Sequence, residues 1–246
     1  MKEDILFGIS LVRVYENEMF SYNDFVSLAA KPGYSEVFEE LVRRGYLKQG
    51  IAAEKAIKEK EFELLNKLMN LKIHIPTEFF LENDFYNIEA TAKCVYKKLS
   101  PEPLLKILST KDSRELYNHK KQTKNSKYSH IYNEALSILK NSDNPEKCET
   151  YIKNKLTETG INTSENVFFQ EWFQILEESK TKDVKYENIK MEYLKNHKYD
   201  SFSIAPIFGF FYGSLIEIRN IRTVLWGKKS GAGKEEITER LCNTYA

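Results

Sequence analysis

The chain predicts an all-α fold, on three observations. Pro and Gly are scarce, 6 and 10 among 246 residues, while Leu, Glu and Lys abound, a balance that favours helix over strand. Apolar residues recur at three- and four-residue spacings along most of the chain, the period of a half-buried helix. No run alternates apolar and polar side chains as a half-buried strand would, and no strand–helix–strand rhythm is present. The length suits one large domain or two small ones and suffices to bury a real core.

Taken in order, Ile5, Ile9, Val12 and Met19 fit one face of a first helix. Ser21, with Asp24 three residues on, reads as the N-cap of a second. Lys31-Pro32-Gly33 is a turn, and Ser35 is placed to cap a third helix that carries Val37, Phe38, Leu41 and Val42 and stops at Gly45. Residues 51–71 form a longer helix with Ala53, Ala56, Ile57, Leu64, Leu65 and Leu68 on its apolar side. Pro76 marks a break, residues 84–99 are helical, and Ser100-Pro101 reads as the start of another helix. Residues 111–127 are polar and basic and read as a loop or linker. Residues 131–139 and 145–156 are two antiparallel helices joined by Asn141-Ser142-Asp143-Asn144 and closed by Gly160. Thr163 and Ser164 are placed to cap an aromatic helix whose Phe168, Phe169, Trp172 and Phe173 read as core. Residues 184–195, 206–227 and 234–245 supply the last three helices. The predicted organisation is a first helical unit at 1–110, the polar loop at 111–127, a divergent middle unit at 128–200 and a C-terminal helical hairpin at 201–246.

A short pattern occurs twice inside this helical context. Asp84-Phe85-Tyr86-Asn87-Ile88 and Glu217-Ile218-Arg219-Asn220-Ile221 both place an acid three residues before an Asn that Ile follows. Acid and Asn then lie one turn apart on a helix, where each must find a partner if it is buried. A costly device used twice suggests a duplicated unit. A remnant, Tyr186-Glu187-Asn188-Ile189, has Lys185 where the acid belongs. Gly209, Gly213, Glu217 and Asn220 share one face of the last long helix, and the glycines would let another backbone approach. Glu217 could serve a partner or an ion, but its recurrence with Asn favours bracing of a helix pair within the fold. Arg219 and Arg222, one turn apart and followed by Lys228 and Lys229, form either a basic lip for a partner or a solvated helix end.

Several functions find little support in the residues. With 37 basic and 36 acidic residues the chain has no global pull toward nucleic acid or an anionic membrane. Three scattered cysteines, Cys94, Cys148 and Cys242, argue for a reducing compartment rather than a disulfide framework. Acids at positions 3 and 4 are unlike a signal peptide. The apolar run at 201–216 is broken by Pro206, Gly209 and Gly213 and is shorter than the roughly 20 residues of a membrane span. Four dispersed histidines, His74, His119, His130 and His197, suggest no metal site and no nucleophile–base set, so neither cofactor nor metal is expected. Residues 227–234 evoke a phosphate-binding loop, yet no Gly sits at 228, Glu235 stands where Ser or Thr should, and no strand precedes.

The segment Phe208-Gly209-Phe210-Phe211-Tyr212-Gly213 through Lys228, followed by Lys234 to Leu241, resembles the C-terminal end of the C subunit of prokaryotic V/A-type rotary ATPases, the counterpart of the vacuolar ATPase d subunit. Leu11-Val12-Arg13-Val14-Tyr15-Glu16 and residues 84–91 are similar to earlier parts of that family. The resemblance is strong over roughly the first 100 and last 50 residues and weaker between. It implies an all-helical funnel of repeated bundle units around a pseudo-threefold axis, here with a shortened middle unit. It further implies a non-catalytic socket on the cytoplasmic side of a prokaryotic membrane. The implied partners are the central-stalk subunits and the membrane ring of proteolipids, with torque passed between ATP turnover and proton or sodium transport. A soluble helical adaptor unrelated to rotary ATPases is the alternative, and a nucleotide-binding enzyme using residues 227–234 is a more distant one.

Overall fold

The computed structural model describes residues 2–106, 108–110, 128–142, 144–164, 166–178 and 183–246. The loop expected at 111–127 lies outside these. Eleven α-helices, two short 3₁₀ turns and no strand are found among the described residues, so the fold is all-α as the composition and periodicity predict. The helices are α1 (Lys2–Glu16), α2 (Tyr22–Ala29), α3 (Tyr34–Arg43), α4 (Ala53–Asn70), α5 (Leu81–Tyr96), α6 (Ser129–Ser142), α7 (Pro145–Thr163), α8 (Val167–Glu178), α9 (Val184–Asn196), α10 (Ala205–Lys229) and α11 (Lys234–Thr238).

Local chemistry explains most helix ends. Ser21 and Asp24 form a reciprocal capping box at the start of α2. The Asn144 side chain accepts the Glu146 and Lys147 N–H groups and opens α7. Gly45 and Gly231 end α3 and α10 with φ of 72° and 81°. At each, the two residues after the cap donate back to the last turn: Gly45 and Tyr46 to Val42 and Leu41, Gly231 and Ala232 to Lys228 and Gly227. Residues 227–234 are thus a helix end and a turn, entered from a helix.

Several expectations change. Helix α3 begins at Tyr34 with Gly33 as its cap, so Ser35 lies inside the first turn. The cap of α8 is Asn166, whose Oδ1 accepts the Phe168 N–H at 3.0 Å, while Thr163 ends α7 and the Ser164 hydroxyl accepts the Asn166 N–H. Gly160 does not close α7; it lies within it, where the Phe173 ring occupies the space a Cβ would need. Ser100-Pro101 opens only a 3₁₀ turn at Glu102–Leu104.

The chain divides into two compact units, Met1–His74 with Thr181–Ala246, and Ile75–Lys180. In the first, α10 packs against α1, α2, α3, α4, α9 and α11. Its core joins Phe25, Leu28, Val37, Leu41 and Ile57 to Ile218, Ile221, Val224 and Leu225 of α10 and to Ile237 and Leu241 beyond it. In the second, α5 packs on α6 and α7, and α7 on α8. Phe168, Phe169, Trp172, Phe173 and Leu176 of α8 are all buried, as an aromatic core helix should be. The chain's last segment differs from expectation: α11 is only five residues long, and residues 241–246 run without helix.

Candidate functional site

The two acid–Asn pairs have their partners in hand. On α5, Asp84 and Asn87 are fully buried and face the strap residues 106 and 108–110. Asn87 Oδ1 accepts the Lys106 N–H at 2.7 Å, and Asn87 Nδ2 donates to the Lys106 carbonyl at 3.1 Å and to the Ser109 hydroxyl at 2.9 Å. Asp84 accepts the Thr110 N–H at 2.6 Å and the Thr110 and Tyr128 hydroxyls at 2.8 Å. Neighbouring Asn83 donates to the Leu108 carbonyl at 2.7 Å. Lys106, Leu108 and Thr110, which lie outside any helix, thus have backbone polar groups answered from one helix face.

On α10 the pattern is repeated with different partners. Asn220 Oδ1 accepts the Cys242 N–H at 2.9 Å, and its Nδ2 donates to the Cys242 carbonyl at 2.8 Å. Both asparagines therefore clamp the N–H and C=O of a single residue. Glu217 accepts the Phe20 N–H at 2.6 Å from the α1–α2 turn, and Tyr46 lines the same cleft. Burial pushes the Glu217 carboxyl up to about 7, against the lowering pull of Phe20, Lys67, Lys60 and Tyr46. Burial, together with Glu217, also pushes the Tyr46 hydroxyl well up. The remnant on α9 retains one clamp bond: Asn188 Oδ1 accepts the Asn243 N–H at 2.7 Å.

Gly209 and Gly213 open the same face of α10, but to a side chain rather than to a helix backbone. A Cβ on Gly213 would come within 2.4 Å of the Tyr245 Cβ, and one on Gly209 within 2.5 Å of its hydroxyl oxygen. The Tyr245 ring lies across the glycine notch. Lys198 donates to the Tyr245 carbonyl at 3.0 Å and stands over its ring at 4.7 Å. These contacts explain why the final segment leaves the helical path: its backbone is held by Asn220 and Asn188, and its ring by the notch.

The expected basic lip is partly engaged inside the first unit. Arg219 pairs with Glu187 at 3.1 Å and Arg222 with Glu61 at 2.9 Å. Lys228 is half-buried and Lys229 exposed at the end of α10. Glu187 also accepts the Tyr212 hydroxyl at 2.6 Å and faces Lys190 at 3.2 Å. Lys190 is itself buried and lies over the rings of Tyr186 and Tyr212, 4.8 and 4.6 Å from their centroids. Burial pushes the Glu187 carboxyl up, but Lys190, Tyr212 and Arg219 more than offset it, and the carboxyl ends below the usual range. The Glu187–Lys190 spacing was the one available sequence signal for this cluster. The Phe20 N–H and the Cys242 backbone had none, because a main-chain partner carries no side-chain signature.

The three cysteines are buried and form no disulfide. Burial pushes the Cys148 and Cys242 thiols up to about 11, which makes them poor nucleophiles. Among the described residues no group of three or more His, Cys, Asp or Glu side chains could hold a metal ion.

The family model of the ATP synthase (C/AC39) subunit matches residues 162–240. Over that stretch, about a third of the chain, the protein is similar to the C subunit of V/A-type ATPases. The match takes in α8 to α11, and with them Gly209, Gly213, Glu217, Asn220 and the cations from Arg219 to Lys229. It includes the aromatic helix and α9, where the resemblance carried by the residues is weaker. No curated protein and no solved structure matches. No helix among the described residues is long and apolar enough to cross a membrane.

Proposed function

We propose that this chain is a central-rotor component, a socket that links the central stalk to the membrane proteolipid ring and transmits torque between ATP turnover and proton or sodium transport. The observation that carries this reading is the C/AC39 match over residues 162–240. A torque-bearing part needs stiffness rather than a reactive group. The clamps supply it, because Asp84–Asn87 and Glu217–Asn220 tie non-helical straps to helix faces with buried and half-buried hydrogen bonds. We assign those four residues, with Gly209 and Gly213, a bracing role. Lys228 and Lys229, at the end of α10, are the cations proposed to meet an acidic partner surface. Arg219 and Arg222 share that role only if their internal pairs open. The repeated units around a pseudo-threefold axis, with a shortened middle unit, belong to the same proposal, as does a peripheral position on the cytoplasmic side of a prokaryotic membrane.

Affinity purification of a tagged copy from gently solubilised source membranes tests the reading, with co-purifying proteins identified by mass spectrometry. Stoichiometric recovery of proteolipid and central-stalk subunits is expected. Recovery of the chain alone, or with unrelated partners, would overturn the rotor role.

A further inference from the structure

A cleft of about 440 Å³ opens in the first unit beside the α1–α2 turn, the segment after α3, α4 and α10. Small-molecule sites span roughly 300–1,000 Å³, so the size suits one. Tyr15, Met19, Phe20, Phe210 and Ile218 give it apolar walls. Six charged side chains also line it, and five of them are paired: Lys67 meets Glu18 at 2.7 Å, Lys60 meets Glu63 at 2.6 Å, and Arg44 meets Asp24 at 2.6 Å and Glu40 at 2.9 Å. The same three cations lie against the walls. Lys67 stands over the Tyr15 ring at 4.6 Å, Lys60 over Tyr46 at 4.9 Å and Arg44 over Phe20 at 5.2 Å. With every cation answered, the cleft does not call for an anion.

The sixth charged group is Glu217, which lines the cleft at 8% exposure. Among the described residues it joins no ion pair, and the one donor in hydrogen-bond geometry to it is the Phe20 N–H, on Oε2 at 2.6 Å. Tyr46, Lys60 and Lys67 are near enough to act on the carboxyl, but none meets it in hydrogen-bond geometry. Oε1 is therefore open to the cleft without a donor. A desolvated carboxylate in that position is costly, and a cationic donor entering the cleft offsets the cost. A metal ion does not suit it, since no group of three or more His, Cys, Asp or Glu converges among the described residues. An ammonium needs only the one oxygen.

We propose that the cleft binds a small primary ammonium carried on an apolar stem. The –NH₃⁺ group donates to Glu217 Oε1, and the stem packs on Tyr15, Phe210 and Ile218. A quaternary ammonium has no N–H and would leave Oε1 without a donor. The site rests on the geometry of the first unit and stands whether or not the chain serves a rotor.

Phenethylammonium is the probe, with 2-phenylethanol as its neutral counterpart of similar shape. Both are titrated into the full chain and followed by calorimetry and ¹H–¹⁵N NMR at about pH 8, where the Glu217 carboxyl, pushed up to about 7, is mostly ionised. We expect saturable binding of phenethylammonium that shifts the Phe20 amide, whose N–H shares the Glu217 carboxylate. We expect 2-phenylethanol to bind at least about tenfold more weakly, and Glu217→Gln to weaken phenethylammonium by a similar factor, since each removes one charge of a charge-assisted bond. The comparison of the two probes uses the unsubstituted chain, so it decides even where Glu217→Gln does not fold. The site is overturned by the absence of saturation in the millimolar range, by saturation that leaves the Phe20 amide unshifted, by equal affinity for the alcohol, or by unchanged binding in folded Glu217→Gln.

Discussion

Helix α5 and helix α10 hold their straps with the same acid–Asn pattern, yet they draw on different parts of the chain. On α5, Asp84 and Asn87 take hold of residues 19 to 44 positions downstream. On α10, Asn220 reaches 22 residues ahead, but Glu217 reaches 197 residues back to Phe20. The first clamp closes a local excursion; the second ties the N-terminal helices to the C-terminal one. The difference teaches that an acid–Asn pattern encodes one half of a clamp, and the fold supplies the other half. Partner chemistry then sets the charge. Glu217 is met by the Phe20 N–H, whereas Glu187, across α9 and α10, is met by two cations.

The largest expected effect sharpens the contrast between the two buried glutamates of the first unit. Glu187→Gln leaves the buried Lys190 ammonium without that carboxylate and should cost about 3–5 kcal/mol in urea unfolding at pH 7, the usual loss when one partner of a buried pair is removed. Glu217→Gln mimics a protonated side chain and should cost far less at that pH. Equal losses would show that the cations around Glu187 do not distinguish the two sites. The linkage signs differ as well: stability from the lowered Glu187 is present above the free carboxyl range and fades as pH falls, opposite to Glu217.

Next in size are the clamps themselves. Asn220→Leu orphans the buried Cys242 N–H and C=O, and Asn87→Leu removes the bonds to the half-buried Lys106 backbone and to Ser109; each should cost about 1–3 kcal/mol, whereas Asn188→Leu removes one exposed bond and should cost less than about 1 kcal/mol. Equal melting temperatures for Asn220→Leu and Asn188→Leu would refute the ranking. Hydrogen exchange should further separate the first two, with Asn87→Leu loosening residues 106–110 and Asn220→Leu loosening residues 241–246. Smaller still, Gly45→Ala and Gly231→Ala meet open space but force a positive φ on a Cβ-bearing residue, at about 1 kcal/mol each by thermal melting. The smallest change expected is Arg222→Ala, whose pair with Glu61 is 37% exposed on the Arg side and should be worth under about 1 kcal/mol in a double-mutant cycle with Glu61→Ala.

Much of the fold is legible in the sequence because helices announce themselves through local chemistry. The Ser21–Asp24 box, the Asn144 cap and the stop at Gly45 each rest on residues a few positions apart, which is the range over which caps and periodicity act. The departures share one cause. Ser35 and Ser164 have the chemistry of caps, but Gly33 and Asn166 hold those positions, since several polar residues near a helix start are equivalent until the backbone path chooses. Gly160 has the chemistry of a stop and is instead the place where Phe173 fits. The last helical pattern runs to Tyr245, yet the helix ends at Thr238, because Asn220, Asn188, Lys198 and the glycine notch hold residues 242–245 more favourably than helix propensity does.

By itself, then, the sequence determined the all-α class, the order of most helices and the two helix faces that bear buried acid and amide, since each depends on spacing within a few turns. Only the tertiary structure decided that residues 1–74 and 181–246 form one unit, that Cys242 and Lys106 are the residues clamped, and that Glu187 meets cations where Glu217 meets none. The physical reason is that backbone partners are identical at every position, and the field at a buried carboxyl is set by side chains far away along the chain.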